Sequence, residues 1–464
     1  MNLEVPNIVA NFIGGEFNLP RSGAYLDRKN PSTGMSVGKT PDSDAVDTVM
    51  AVKAAHGASE KWSQVSVAER AQILNRVADL IEKHAQEFAE IEAIDTGKPI
   101  QISLRYDVPK AALNFRYFAA KILTEQTSSQ ESQYSIRQSV GVAGVITSYD
   151  MSLVLLSAKL APCLAMGNTA VCKPAHNSTL SANLLVSVLC EVGVPPGVCN
   201  MVYGRGETAG VALVQHPGVP LISFTGATDT GVIVQTKAAR NTKKLSLALS
   251  AKNPNIVLKD ADLKTAVAGS IQSAFSNSGQ NAFSGSRLYV QEEIYEKFMT
   301  EFRAQVAALK VGDPLLAETA MGPLATESQL LKVEAAVAQA LSEKAKVTVG
   351  GKRPKMSDEL SGGYFYTPTV IEDLDNCSDL WSNEIFGPVV TAQSFKYAHE
   401  AVKWANTSTY KLSASIWTSD LARAHKLARE IKAGVVRLNS VGEYDPRIGD
   451  DALEFFSELK TISL

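Results

Sequence analysis

Residues Ala274–Arg287 read A-F-S-N-S-G-Q-N-A-F-S-G-S-R. A helix-like segment, Asp262 to Phe275, leads into them, and a strand-like one, Leu288 to Val290, leads out. Between the two, Ser, Asn and Gly crowd together, the composition of a turn. A turn that carries a helix into a strand belongs in an α/β architecture, so the flanking chain should alternate the two elements.

Composition allows this. The chain has 464 residues, which suggests about three domains of ordinary size. Hydrophobic residues make up 45% and charged residues 20%, as expected of a globular protein with a large core. A net charge of −3 gives no general attraction to nucleic acid or to anionic membrane, and no basic run is interleaved with aromatics. Five cysteines form no C-x-x-C pair, and six histidines show no metal-binding spacing. Reduced, mostly buried thiols are expected, with no metal, in a cytoplasmic protein. The first ten residues carry no basic flank and no long apolar run, which argues against a signal peptide. No stretch approaches the roughly 18 apolar residues of a membrane span.

Upstream, Asn11 to Phe17 reads as a hairpin around Gly14-Gly15. Ser66-x-x-Glu69 is a capping box. It opens one long amphipathic run through Ile73, Val77, Ile81, Phe88 and Ile91, which Asp95–Pro99 should stop. A further helix is expected over Pro109–Ile122. Lys121–Gln138 is polar and reads as a linker or an exposed hairpin. Strands are then expected at Val140–Thr147, Thr169–Lys173, Val198–Tyr203, Leu221–Phe224 and Leu245–Leu249. Helices should fill Leu153–Met166, Thr179–Val192, Thr208–Gln215 and Thr230–Ala239, giving a doubly wound parallel sheet. From Asn253 to Asn439 the alternation repeats as a second α/β unit. The last segment, Leu453–Leu464, looks like a terminal strand.

The turn F-S-N-S-G-Q-N-A resembles the catalytic turn of the aldehyde dehydrogenase superfamily, F-x-N-x-G-[EQ]-x-C. Phe275, Asn277, Gly279 and Gln280 fit the pattern, and Ala282 stands at the cysteine position. Other segments extend the resemblance over nearly the whole chain: V-G-V-A-G-V-I-T-S-Y-D, A-M-G-N-T-A-V-C-K-P, F-T-G-A-T, K-N-P-N-I-V and N-E-I-F-G-P-V. Asp107-Val108-Pro109 and Val194–Gly197 look closest to the 2-aminomuconate semialdehyde dehydrogenase branch. The resemblance implies an α/β fold of aldehyde dehydrogenase type: a Rossmann-type NAD domain (1–120 and 140–247), an α/β catalytic domain (248–438), and a small β oligomerisation element (121–139 and 453–464). A homodimer or homotetramer is expected from that element.

By resemblance, Lys173 would reach the adenosine ribose, Glu384 the nicotinamide ribose, and Phe386 would pack beside the nicotinamide. Gly226 and Gly231 would let the backbone approach a pyrophosphate. Against these, His176 replaces the usual Glu, Ala227 the usual Ser, and Ser250-Ala251 the usual Gly-Gly. The mixed record leads to the expectation that no cofactor is required and that NAD binding is weak or absent. Gly204-x-Gly206 is explained as well by a strand-to-helix turn as by a nucleotide loop.

Aldehyde oxidation in the family needs a thiolate nucleophile, oxyanion donors, a hydride acceptor and a carboxylate base. Here Ala282 replaces the Cys, Ala248 the Glu, and Asp150 the oxyanion-binding Asn, with Ser148 and Tyr149 before it. Asn277 remains. An ionised Asp150 would repel a developing oxyanion. After Asn439, the segment Ser440–Ala452 is shorter than the family's loop, which should leave the substrate tunnel open or reshaped. Ser278, Ser284 and an Asp150–His176 pair are the candidate replacements, and surface or turn roles explain them better. The reading is a pseudoenzyme that binds, scaffolds or regulates. The alternative is a repurposed enzyme performing non-redox chemistry, such as isomerisation, cyclisation or hydration, on an aldehyde or enamine-like metabolite. A third, a dehydrogenase with an unconventional nucleophile, is the weakest. A small-molecule carbonyl ligand is expected, with no nucleic acid and no membrane partner.

Overall fold

Short, apolar, β-rich segments bounded by Gly and Pro cannot bury both faces unless helices cover them, and the chain builds two such layered sheets. The structure, a computed structural model, describes residues 5–124, 128–130, 133–375, 377–442 and 451–463. Its first sheet has seven strands in the order Lys244–Ala248, Leu221–Thr225, Val142–Ile146, Thr169–Lys173, Cys199–Met201, Asn11–Ile13, Glu16–Asn18. The first five pair in parallel, and the N-terminal hairpin closes the edge antiparallel.

From Val142–Ile146 the chain winds outward through Thr169–Lys173 to Cys199–Met201. It then returns to lay Leu221–Thr225 on the opposite side of Val142–Ile146. The strand order therefore reverses between Val142–Ile146 and Leu221–Thr225. A crevice opens beyond the carboxyl ends of strands at such a reversal. The helix Ser152–Ala165 is buried on nearly all sides, consistent with its run of Leu, Val and Ala, and Pro162 sits within it.

The second sheet also has seven strands: Lys346–Val349, Thr369–Glu372, Val389–Phe395, Arg287–Gln291, Pro254–Val257, Ser413–Trp417 and Val435–Leu438. All pair in parallel except the first. Arg287 opens the central strand. Its guanidinium donates to the carbonyls of Lys252, Trp404 and Ala405, tying the catalytic-type turn to both neighbours.

Several elements differ from the sequence reading. The run after Ser66 is two helices, Val67–Lys83 and Ala85–Thr96, which meet at His84. The capping box at Ser66–Glu69 is present. Thr208–Gln215 is a π turn, Gly206–Gly210, followed by the helix Val211–Gln215. Lys121 belongs to the helix Val108–Thr124, and the β element begins only at Ser128. Of residues 121–139, 125–127 and 131–132 lie outside the described residues. At the C-terminus Leu453 and Glu454 are helical, within Asp451–Phe455, and the strand is Ser457–Ser463. That strand pairs with Gln133–Ser139, which pairs with Ser128–Gln130. Among the elements that went unread are the hairpin Tyr25–Lys29 with Ser36–Pro41, the helix Ala45–Gln64 and the buried strand Thr369–Glu372.

Candidate active site and dinucleotide cleft

Three consecutive residues of the turn, Asn277, Ser278 and Gly279, hold positive φ (52°, 55° and 68°) and reverse the chain between helix and strand. Asn tolerates this region and Gly favours it. The turn is then bonded in place. Asn277 Nδ2 donates to the Asp150 carbonyl at 2.9 Å and the Gln280 carbonyl at 2.8 Å. Ser278 Oγ donates to the Gly322 carbonyl at 2.8 Å, and Gln280 Oε1 accepts from the Ala325 N–H at 3.1 Å. Ala282 stands beyond these anchors, its carbonyl held by Asn253 Nδ2 at 2.7 Å.

Ala282 borders a cavity of 620 Å³ together with Ser148, Tyr149, Asp150, Ser250, Glu384 and Phe386. Asp150 is 4% exposed, and its Oδ1 accepts from Ser148 Oγ at 2.5 Å. Burial pushes its pKa up, opposed by that hydrogen bond and by the Lys98 ammonium. Lys98 itself is buried in an ion pair with Asp107 and lies 3.7 Å from Glu92, so a charged cluster stands behind Asp150. Ala248 ends the edge strand, paired with Thr225, one residue ahead of the cavity-lining Leu249 and Ser250.

Phe386 also has positive φ, 54°, and is held by Gln329, whose Nε2 donates to the carbonyls of Ile385 and Phe386 at 2.8 and 2.9 Å. Its ring meets Tyr149 edge to face, centroids 6.0 Å apart. Glu384 accepts from the Ala251 N–H at 3.0 Å. Burial raises its pKa, and the Asp150 carboxyl adds to the rise.

An adjoining cleft of 430 Å³ shares Ser148, Tyr149, Thr225 and Gly226 with this cavity and runs along the strand reversal to Lys173 and His176. Lys173 is 5% exposed, donates to the Pro174 carbonyl at 3.1 Å, and is lowered to about 8 by burial. Burial, then the cations of Lys173 and Arg205, lower His176. The helix Thr228–Ala239 begins at the cleft with no side-chain cap at Ala227. The hydroxyls of Thr147, Thr225 and Thr228 are buried without a hydrogen-bond partner among the described residues. The start of that helix, the orphan hydroxyls of Thr147 and Thr225 and a buried ammonium suit the ribose and phosphate oxygens of a dinucleotide. The residues fit that group.

The structure brings Asp150, Ala282, Glu384 and Phe386 to one cavity, and Lys173, His176 and Gly226 to the other. It does not bring Asp150 and His176 together. Ser278 and Ser284 spend their hydroxyls on the carbonyls of Gly322 and Ala274. At Gly226 and Gly231 a side chain would also meet the protein's own residues. A Cβ at Gly226 would lie 2.6 Å from Phe224 Cζ, and one at Gly231 would lie 2.4 Å from Leu249 Cδ2, so each makes room for the protein's own side chains. Sequence reasoning missed the three threonines, Gln329 and the bonds made by Ser250. Only Thr147 and Thr225 left a signal, each being the polar residue that ends an apolar strand. Of the shortened Ser440–Ala452 segment, residues 443–450 lie outside the described residues. Val441 and Gly442 line a separate cavity of 380 Å³ with Tyr106, Asn281 and Phe283.

Among the described residues no group of His, Cys, Asp and Glu is placed to hold a metal, and no helix is long and apolar enough to cross a membrane. A profile described as the aldehyde dehydrogenase family matches residues 19–449. The 2-aminomuconic semialdehyde dehydrogenase of Danio rerio is 38% identical over 479 residues, covering 98% of each chain. The structure of PnpE from Pseudomonas sp. WBC-3 in complex with nicotinamide adenine dinucleotide aligns with a TM-score of 0.96 at 34% identity, covering 98% of this chain and 97% of that one. Betaine aldehyde dehydrogenase from Staphylococcus aureus in complex with NAD+ aligns with a TM-score of 0.94 at 31% identity, covering 98% and 94%. These neighbours correct the expectation that no cofactor is required and that NAD binds weakly or not at all. That expectation counted single lost contacts at positions 176 and 227, and overlooked the hydroxyls and amides that still line the cleft.

Proposed function

The chain belongs to the aldehyde dehydrogenase family, and from that premise we propose that it binds NAD in its cleft but does not oxidise aldehydes by the thiol route. It acts instead as a binding, scaffolding or regulatory member of the family. The observation that carries this is Ala282. At the wall of the 620 Å³ cavity, where the nucleophile should stand, the chain presents a methyl group. A methyl group forms no bond to a carbonyl carbon, so no hemithioacetal arises. Ala248 removes the carboxylate that would activate water.

Lys173 and the hydroxyls of Thr147, Thr225 and Thr228 would hold the dinucleotide. When bound, NAD supplies a hydride acceptor. The chain's own groups then bind and orient a carbonyl ligand, and Tyr149 and Phe386 shield the space between cavity and cleft from water.

A second reading is favoured by Asp150. A buried carboxyl with a raised pKa facing a cavity is a proton donor or acceptor for an aldehyde or enamine-like ligand, which suits isomerisation, cyclisation or hydration. Asp107–Pro109 and the relatives point to the semialdehyde dehydrogenase branch, and the three-stranded sheet ending in Ser457–Ser463 suggests assembly as a homodimer or homotetramer.

The test is NADH formation at 340 nm by the wild-type protein with saturating NAD and a panel of aldehydes and semialdehydes. No turnover is expected. Steady turnover that Asp150→Ala leaves intact would overturn both readings.

A further inference from the structure

The cavity beside Ala282 and the cleft that adjoins it carry opposite charge. Four residues lining the 620 Å³ cavity are acids, Asp150, Asp229, Asp379 and Glu384, and among the described residues Lys332 is its one base. Asp229 and Asp379 are exposed, Glu384 is half-buried and Asp150 is buried. The last two are fixed in place: Asp150 Oδ1 accepts from Ser148 Oγ at 2.5 Å, and Glu384 Oε1 accepts from the Ala251 N–H at 3.0 Å. In the cleft the balance reverses, with Lys173 and Lys237 joining Lys332 against Glu207.

A dinucleotide that spans both spaces has two unlike ends. Adenine is flat and neutral, and the cleft offers it the apolar side chains of Val211, Val214 and Ile233. Nicotinamide is a pyridinium cation when oxidised and a neutral dihydropyridine when reduced. The cavity offers that ring two fixed carboxyls and the aromatic rings of Tyr149 and Phe386, a setting that suits a flat cation. Burial raises the pKa of Asp150 and of Glu384, and a fixed cation beside them draws both toward the ionised form. Lys98 behind Asp150 and Lys252 near Glu384 act in the same direction, while Asp107 opposes it at Asp150.

We propose that the acidic cavity selects the oxidised dinucleotide over the reduced one, with Asp150 reading the charge of the nicotinamide ring and Glu384 adding to it. NAD+ and NADH share the adenosine, the pyrophosphate and both riboses, so a difference between their affinities reports the ring alone. An amide at position 150 would keep an oxygen for Ser148 but carry no charge, and would treat the two forms nearly alike. Ala282 takes no part in turning the nucleotide over by the thiol route, so occupancy follows the ratio of oxidised to reduced dinucleotide around the protein. That gives a regulatory member of the family a signal to respond to. The inference rests on the dinucleotide reading of the cleft given above.

The experiment is isothermal titration of the full-length protein with NAD+, NADH and ADP-ribose, the last having no nicotinamide. NAD+ should bind at least about tenfold more tightly than NADH, and NADH within about threefold of ADP-ribose. Asp150→Asn should bring NAD+ and NADH to within about threefold of each other and leave the affinity for ADP-ribose unchanged, which also shows that the cleft is folded. If Asp150→Asn does not fold, Glu384→Gln is read in its place and should narrow the preference by at least about threefold. NADH binding as tightly as NAD+ or more so, or a preference that the folded variant leaves unchanged, overturns selection by charge while leaving the cleft a dinucleotide site. Binding of none of the three nucleotides overturns both.

Discussion

Restoring the two missing groups should not restore the enzyme. The double variant Ala282→Cys/Ala248→Glu returns a thiol to the cavity wall and a carboxylate to the end of the edge strand. Ordinary turnover numbers run from about 1 to 10³ s⁻¹ with a median near 10 s⁻¹. Two defects remain in the structure. Asp150 presents a carboxyl where an amide donor is needed, and its Oδ1 is already taken by Ser148 at 2.5 Å. Loss of one oxyanion donor costs about 10²–10³-fold in kcat. Ser250 still holds the Thr228 amide and lines the cavity beside Glu384, so a nicotinamide ring would be expected out of place. A misplacement of about 1 Å costs a further ~10²-fold. Together these put the double variant at roughly 10⁻³–10⁻⁴ s⁻¹. Adding Asp150→Asn keeps an oxygen to accept from Ser148 and frees an amide N–H₂ for the oxyanion. That triple variant should gain about 10²-fold over the double. The assay is NADH formation at 340 nm with saturating NAD across short and semialdehyde substrates, with thermal melts to confirm folding. Turnover near 1 s⁻¹ in the double variant would refute the reasoning, because it would mean that Asp150 and Ser250 are no obstacle.

Three further outcomes follow from the packing and the charges. Burial lowers Lys159 and Lys252 to about 7. In the unfolded chain both keep their protons to about pH 10, so the unfolded state binds more protons and stability rises with pH above 7. The gain should be on the order of 2 kcal/mol per lysine between pH 7 and 9, and Lys252→Met should remove its share of the slope in urea midpoints. Above pH 9 the buried thiols work the other way, Cys163 raised by burial and Cys172 by its hydrogen bond with Cys199 and by burial, so the rise should flatten there. A Cβ at Gly279 would stand 2.0 Å from the Gly387 carbonyl oxygen at a φ of +68°, so Gly279→Ala should destabilise by at least about 3 kcal/mol in chemical denaturation. An exposed terminal strand with Leu459 63% exposed invites pairing, and light scattering at micromolar concentration should show a dimer or tetramer. Monomers alone would count against that assembly.

The fold was legible wherever local chemistry decides it. Ser66 and Glu69 announce a capping box that forms, and Gly14-Gly15 announce the hairpin they make. His84 breaks one apparent helix into two, because periodicity continues across a one-residue kink that carries no Gly or Pro. Thr369–Glu372 was missed because a four-residue strand buried on both faces has no alternation to read. At the site, the residues that differ from the family's pattern were legible, but their consequences were not. Ser250 was legible only as a replacement for glycine. Its partner, the Thr228 N–H, is distant in sequence and meets it only in the folded chain. The packing of Phe224 and Leu249 against Gly226 and Gly231 was illegible for the same reason.

These contacts explain how a catalytic turn can persist in form without its nucleophile. Asn277, Ser278 and Gln280 all hold hydrogen bonds that fix the turn, and Gly279 fits under the Gly387 carbonyl where no larger residue could. Each would cost stability if replaced, whether or not any reaction takes place beside it. Position 282 differs, since it is held through its backbone carbonyl and its side chain meets a cavity. Exchanging sulfur for hydrogen there sacrifices chemistry and almost no packing. The F-x-N-x-G-Q motif therefore reports the shape of the turn, and says nothing by itself about turnover. The cleft yields the opposite argument. Buried hydroxyls without partners at Thr147, Thr225 and Thr228 each cost about 1–3 kcal/mol in the free protein. Two of them, on Thr147 and Thr225, line the cleft, where the ribose or phosphate oxygens of a ligand would pair what the fold leaves unpaired.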